Sequence, residues 1–186
     1  MNEILKIIKN RRSIHQFKKN QVGDAELQTI MEAAVCAPNA MNQQKWHFAV
    51  VQNKEMLDRI ISVIKENMMK SGVEFLASRA KLPEFTPFYG APTVVFVSAD
   101  DRAQFTKTDG ALAAENIVLA AASLGIGSNI QTSPGFLFAS EKGNVIKKEL
   151  GIPDHYSYVC SITLVYPDGP HPEAKPRTKE VITYIK

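Results

Sequence analysis

The stretch from Lys107 to Leu124 constrains this chain more than any other. Ala111, Leu112, Ala113, Ala114, Ile117, Val118, Leu119, Ala120, Ala121, Ala122 and Leu124 are apolar. At about 3.6 residues per turn they cover most of a helix's circumference rather than one stripe. Such a helix cannot lie on a surface, because it needs cover on more than one side. The chain has 186 residues, the size of one domain, so a second subunit is one available source of that cover.

The rest of the chain predicts what surrounds it. Thr93 to Ser98, TVVFVS, is nearly all apolar and reads as a central strand. His47 to Gln52 and Tyr158 to Tyr166 predict two more strands, and a short one follows the Gly-rich turn LGIGS at 124–128. Helices are predicted over residues 2–9, from an N-cap at Asp24, from near Lys54, and around Asn144 to Leu150. Their apolar residues, such as Leu27, Ile30, Met31 and Ala34, recur at helical spacing. Residues 66–92 mix helical and loop signals with three prolines and fit either a flexible lid or a packed connector. Helices outnumber strands without alternating regularly, which favours α+β over a doubly wound sheet. Residues 167–186 run through prolines into the β-prone VITYI. They read as an extended arm that pairs with its own sheet or with a partner's.

Charge is distributed unevenly. Residues 1–20 carry a net charge of +5 and residues 171–186 a net charge of +2, although the whole chain is only +3. The middle is therefore acidic. Arg11, Arg12 and Ser13 at one end and Lys175 and Arg177 at the other offer guanidinium, ammonium and hydroxyl donors. That combination suits an anionic group such as a phosphate. Taken alone, each cluster would more often be a solvated basic surface. The loop Pro38 to Trp46, PNAMNQQKW, supplies four amides in six residues, more than a turn requires. Trp46 and Phe48 read as its anchors in the core.

Several function classes fall away. A sequence pI of about 8.8 is short of a dedicated nucleic-acid binder, and aromatics do not interleave with the arginines. Lys6 and Lys9 interrupt the first apolar residues, so no signal peptide is expected, and no segment is long and apolar enough to span a membrane. A cytoplasmic protein is the simplest reading. Cys36 and Cys160 form no C-x-x-C pattern and both read as buried thiols. The four histidines lack metal-ligand spacing, and no Ser–His–Asp or Cys–His arrangement stands out. Without a protein nucleophile, the chemistry would have to come from a bound cofactor.

Together, RRSIHQF (11–17), AAVCAPNAMNQQKWHFAVV (33–51), APTVVFV (91–97), DGALAAENIVLAAASLGIGS (109–128) and KPR (175–177) resemble the flavin-dependent nitroreductase family. The resemblance covers most of the chain, taken as one domain over 1–186. It implies an α+β fold with a central mixed or antiparallel sheet flanked by helices. It further implies an intertwined homodimer with an extended C-terminal arm and an FMN at each of two subunit-interface sites. By position, Arg11, Ser13 and His15 would contact the FMN phosphate, ribityl chain and pyrimidine edge, with Arg12 as a further phosphate partner. Lys175 and Arg177 would complete the phosphate clamp. Pro38, Asn39, Ala40 and Asn42 would come from the other subunit. Gln131, Thr132 and Ser133, within the segment ending at Gly135, would lie beside the ring and its N5 atom. The implied activity is NADH- or NADPH-dependent, ping-pong reduction of nitroaromatics, quinones or similar flat acceptors. Reductive dehalogenation and flavin reduction are the alternatives within the same cofactor class. The sequence departs from the family pattern at His15, where Lys or Arg is common, at Asn39, where Ser is usual, and at Lys45, where Pro is usual.

Overall fold

Eight consecutive residues, Thr93–Asp100, are buried and form the strand around which the rest is laid. In the computed structural model, which describes residues 2–186, ten helices and strands follow in chain order. They are α1 (Glu3–Asn10), α2 (Asp24–Val35), β1 (Trp46–Val51), α3 (Lys54–Met69), α4 (Glu74–Lys81), β2 (Thr93–Asp100), α5 (Thr106–Ser123), β3 (Gly127–Gln131), α6 (Glu141–Glu149) and β4 (Tyr156–Val165). Short 3-10 turns occupy Ala40–Asn42 and Ser133–Ala139.

The sheet order is β1-β2-β4-β3, and every pairing is antiparallel. The sheet is therefore not mixed, and the α+β expectation holds. Because side chains alternate along a strand, β2 feeds two cores. Val94 and Phe96 face a layer built by Leu57, Ile60, Ile64, Met68, Phe88 and Leu137. Val95 and Val97 face the opposite layer, with Ile30, Ala34, Ala114, Ile117, Val118 and Ala121. Cover on both faces is why this strand is apolar at successive positions rather than at alternate ones. Truncating a side chain here, such as Phe96→Ala, costs on the order of 3–5 kcal/mol.

Helix α5 lies between α2 and the sheet, as its apolar girth requires. Gly110 lets its first turn approach β4, since a Cβ there would sit 2.8 Å from Val159. Leu112 stays exposed, as do Ile4, Leu5 and Ile8 of α1 and Val35 of α2. Of these, Ile4 and Ile8 line one groove with Ala33, Cys36 and Leu119, an apolar surface that this chain does not cover itself.

Several expectations need correcting. Cys36 is exposed, because the helix that carries it ends there with that side turned outward, whereas Cys160 is buried. Burial pushes the Cys160 thiol up to about 11. The N-cap of α2 is Gly23, with extended backbone, and Asp24 is the first helical residue. Trp46 and Phe48 are both half-buried; Phe48 packs against the core as expected, while Trp46 does not reach it. Residues 66–92 are mostly a packed connector: α3 continues to the buried Met68, α4 packs on α3 through Ala80, and Phe88 is buried. Residues 171–186 are exposed throughout and form no strand. β1 is an edge strand, hydrogen-bonded to β2 on one side only. No helix among the described residues is long and apolar enough to cross a membrane.

Candidate functional site

After α1 the chain becomes extended and runs alongside β3. The Ile14 N–H donates to the Ser128 carbonyl at 3.1 Å, and Ser13 and Ser128 form a parallel bridge. Gly127 permits the approach, because a Cβ there would fall 2.8 Å from the Ile14 side chain. The second glycine of LGIGS thus provides close backbone packing. The first, Gly125, has φ +73° and ends α5 in the left-handed conformation that glycine adopts at low cost.

These two segments wall a cleft of about 540 Å³ whose lining includes Lys6, Arg11, Arg12, Gly125, Ser128 and His171. Arg12 is partly committed: its guanidinium donates at 2.7 Å to the carbonyls of Lys9 and Arg11, closing the C-terminus of α1. Its Nε and the Ser128 hydroxyl are buried without a hydrogen-bond partner. Buried polar atoms are rarely left so, and each unpaired one costs about 1–3 kcal/mol. Two guanidiniums, an ammonium and a free hydroxyl converging on one cleft fit a phosphate-sized anion.

A smaller cleft of about 210 Å³ shares Ile14, Pro167 and His171 with the first and is lined by Ser13 and His15. Above it, the ring of Tyr89 lies 4.5 Å from that of His15. Tyr89 has φ +56°, a left-handed conformation that costs a bulky residue roughly 1–2 kcal/mol. It is held there between buried Phe88 and Ala91. At the far end of β3, the Gln131 side-chain amide is buried with neither its oxygen nor its nitrogen paired. The Tyr158 hydroxyl donates to the Gln131 carbonyl at 2.9 Å. Burial holds the Tyr158 phenol well above its ordinary pKa, so it remains a neutral donor. Thr132 and Ser133 follow directly, and Gly135 leaves room for the Tyr158 ring.

The amide loop has its own architecture. Met41, Asn42 and Gln44 have φ of 54°, 51° and 50°, three non-glycine residues in the left-handed region within four positions. Asparagine tolerates this well; methionine and glutamine do not. The Asn39 Oδ1 accepts from the Gln44 N–H at 2.8 Å, tying the two ends of the turn. The Asp109 carboxylate accepts from the Ala40 N–H through both oxygens at 3.3 Å, tying the turn to α5. At the loop's exit, the buried Asp100 holds Arg102 with both carboxylate oxygens and lies 3.6 Å from Lys45. Those cations keep the Asp100 carboxyl well below the usual carboxylate range, the Arg102 hydrogen bonds contributing most.

The structure thus brings Arg11, Arg12, Ser13 and His15 together along β3, which leads to Gln131, Thr132 and Ser133. It does not bring the other expected residues to them. Pro38, Asn39, Ala40 and Asn42 belong to the loop tethered at Asp109, in the first turn of α5. The basic cleft lies at that helix's last turn, beside Ser123. A rise of 1.5 Å per residue puts about 20 Å between those two ends. Lys175 and Arg177 are on the exposed arm and line neither cleft. Sequence reasoning missed Ser128, Tyr89 and Asp109. Ser128 was within reach, as the serine ending LGIGS; Tyr89 and Asp109 carry no local signal, since only tertiary contact gives them a role.

A family model described as the nitroreductase family matches residues 8–166. A crystal structure of a nitroreductase with bound FMN from Bacteroides fragilis is similar over 100% of both chains, with a TM-score of 0.95 and 31% identity. A putative NADH dehydrogenase/NAD(P)H nitroreductase from Archaeoglobus fulgidus is 33% identical over 90% of this chain and 87% of its own length. An iodotyrosine deiodinase from Thermotoga neapolitana is 28% identical over 99% of this chain and 98% of its own.

Proposed function

This chain belongs to the nitroreductase family, and from that premise we propose that it is a cytoplasmic, homodimeric, FMN-dependent oxidoreductase that draws electrons from NADH or NADPH to reduce a flat organic acceptor such as a nitroaromatic or a quinone. The observation that carries the cofactor assignment is the cleft where Arg11 meets the unpaired Arg12 Nε and Ser128 Oγ. Arg11, Arg12 and Ser128 would hold the phosphate, Ser13 the ribityl chain and His15 the pyrimidine edge, with Gln131, Thr132 and Ser133 beside the ring. FMN, when bound there, would supply the hydride chemistry that links nicotinamide to acceptor in ping-pong turnover.

The chain's own residues then have physical tasks. Arg11 and Arg12 neutralise the phosphate, a charge-assisted interaction about twice as strong as a neutral hydrogen bond. His15, as a hydrogen-bond donor, would stabilise negative charge at the pyrimidine edge. Tyr89 and His15 wall the slot that a planar acceptor would enter. No side chain needs to act as a nucleophile.

Distance supports the dimer. A loop about 20 Å along α5 from the basic cleft is out of that cleft's reach, and in this reading Pro38, Asn39, Ala40 and Asn42 would be supplied to the site of a second copy. The arm behaves likewise. Val181, Ile182, Tyr184 and Ile185 are exposed, and β1 offers an unpaired edge beside a groove of about 610 Å³ lined by His47, Gln52 and Arg59. Strand addition from a second copy would satisfy both and carry Lys175 and Arg177 to the phosphate.

Purified protein is expected to be yellow and to release FMN on denaturation. The double variant Arg11→Ala, Arg177→Ala should weaken FMN far more than riboflavin, which lacks the phosphate. Equal losses would refute the phosphate assignment, and a colourless protein that takes up no added FMN would refute the cofactor itself. The end-to-end likeness to an iodotyrosine deiodinase supports a second reading, in which the same site removes halogen reductively from a phenol. Single-turnover reduction followed by separate challenge with a nitroaromatic, a halophenol and free flavin distinguishes these acceptors.

A further inference from the structure

We infer that Asp109 is a positioning residue for the cofactor site: from the first turn of α5 it holds the loop 39–44 in its left-handed conformation, so that the loop arrives at the flavin ring already shaped. The inference rests on the proposed use of that loop at an FMN site and goes beyond it, because Asp109 belongs to none of the segments expected to touch the cofactor.

Three observations converge. First, the loop is strained, with Met41, Asn42 and Gln44 all at φ near +50°, and strain persists only where surroundings over-determine it. Second, its internal hydrogen bonds close the turn on itself without fixing its position. Asn39 Oδ1 accepts from the Gln44 N–H, Gln43 N–H reaches the Ala40 carbonyl, and Gln44 Nε2 reaches Asn42 Oδ1. Between Asn39 and Gln44, the bond that ties this turn to another element of the fold is the one from the Ala40 N–H to Asp109. Third, Asp109 does not act alone on α5. Asn116, two helical turns later and so on the same face, donates from Nδ2 to the Ala33 carbonyl at 2.9 Å. The two side chains fasten residues 33–40 at both ends. Ala113, between them on that face, is buried, and α2 packs against α5.

The chemistry suits the task. A carboxylate accepts a backbone N–H more strongly than a neutral oxygen does, and in the first turn of α5 it also meets the positive end of the helix dipole. Asp109 therefore stays in place without a cationic partner. Asn39 Oδ1 and Asn42 Oδ1 are used inside the turn, so the Asn42 Nδ2 and the Gln43 amide are what the loop offers the ring and ribityl chain. The entropy of ordering the loop is not charged against cofactor binding.

The test compares Asp109→Ala and Asp109→Asn with the wild-type full-length protein in two measurements. Affinity for FMN and for riboflavin is measured by flavin fluorescence, and backbone hydrogen exchange is followed over residues 39–44 and over β2. Asp109→Ala should weaken both flavins by the same factor, about tenfold for one lost charge-assisted hydrogen bond. It should also speed exchange at Ala40 to Gln44 while leaving β2 unchanged. Asp109→Asn, which keeps an acceptor oxygen, should restore most of both. This pattern differs from loss of the phosphate clamp, which spares riboflavin, and from general destabilisation, which would speed exchange in β2 as well. Unchanged exchange at residues 40–44 in Asp109→Ala would overturn the inference, as would a loss confined to FMN. A wild-type protein that takes up no flavin would overturn the cofactor reading instead, with hydrogen exchange still deciding whether Asp109 shapes the loop.

Discussion

The two basic ends of this chain carry the same chemistry in opposite physical settings. Arg11 to His15 are fastened to β3 by a backbone hydrogen bond, with Ile14 wedged over Gly127 and buried in the core. Lys175 and Arg177 sit on an arm with every residue from 171 onward exposed and no regular structure. In the proposed clamp, one half would be built by the fold of a single chain, while the other half would only be delivered by it. Identical side chains in a sequence therefore do not imply identical readiness. What separates these two is the element behind them, a strand in one case and solvent in the other.

Removing residues 171–186 should break that comparison most severely. The truncated chain is expected to elute as a monomer and to bind FMN on the order of 100-fold more weakly, as the loss of two charge-assisted contacts implies. A truncated protein that stays dimeric and yellow would show that the fastened end suffices. Gly127→Ala attacks that fastened end. With Ile14 only 2.8 Å from the new methyl, unfolding in urea should reveal a loss of about 1–3 kcal/mol, typical of overpacking. An unaltered midpoint would mean that Ser13 and Ile14 are held less tightly than their spacing indicates. Ser128→Ala is gentler: it removes a hydroxyl with no protein partner, so stability should hold while FMN affinity falls about fivefold. Were affinity unchanged, the hydroxyl would have no part in the clamp.

The smallest effect belongs to the open edge of β1. Burial lowers the His47 pKa from 6.5, so the folded protein favours the neutral ring. Its contribution is fully present above pH 6.5 and is lost as pH falls through the lower folded value. Stability should decline more gently in acid for His47→Gln than for the wild type. Parallel curves would mean that the ring protonates as easily in the fold as out of it.

The contrast also marks what could be read without coordinates. β2 and α5 were legible, because cover on two sides leaves a continuous apolar record in Thr93 to Ser98 and in Ala111 to Leu124. The edges of elements were less so. Asp24 is an ordinary N-cap by composition, yet Gly23 takes that position. Cys36 ends an apolar run but faces outward, since a run does not say which side of a helix its last residue occupies. The site divided in the same way. RRSIHQF and the amide loop were conspicuous because polar residues crowd together there. Tyr89 and Asp109 were invisible, because one gains its role by leaning on His15 and the other by bonding Ala40, 69 positions away. That the two halves sit at opposite ends of α5 was not legible at all.

The length of α5 has a genetic corollary. A lesion at Asp109 would spoil the neighbour's pocket, whereas a lesion at Arg11 would spoil the bearer's own. In the proposed dimer, two alleles weakened in flavin binding, one with Asp109→Ala and the other with Arg11→Ala, would then complement each other in part when co-expressed. In each mixed pair, one pocket would inherit both intact contributions and the other neither.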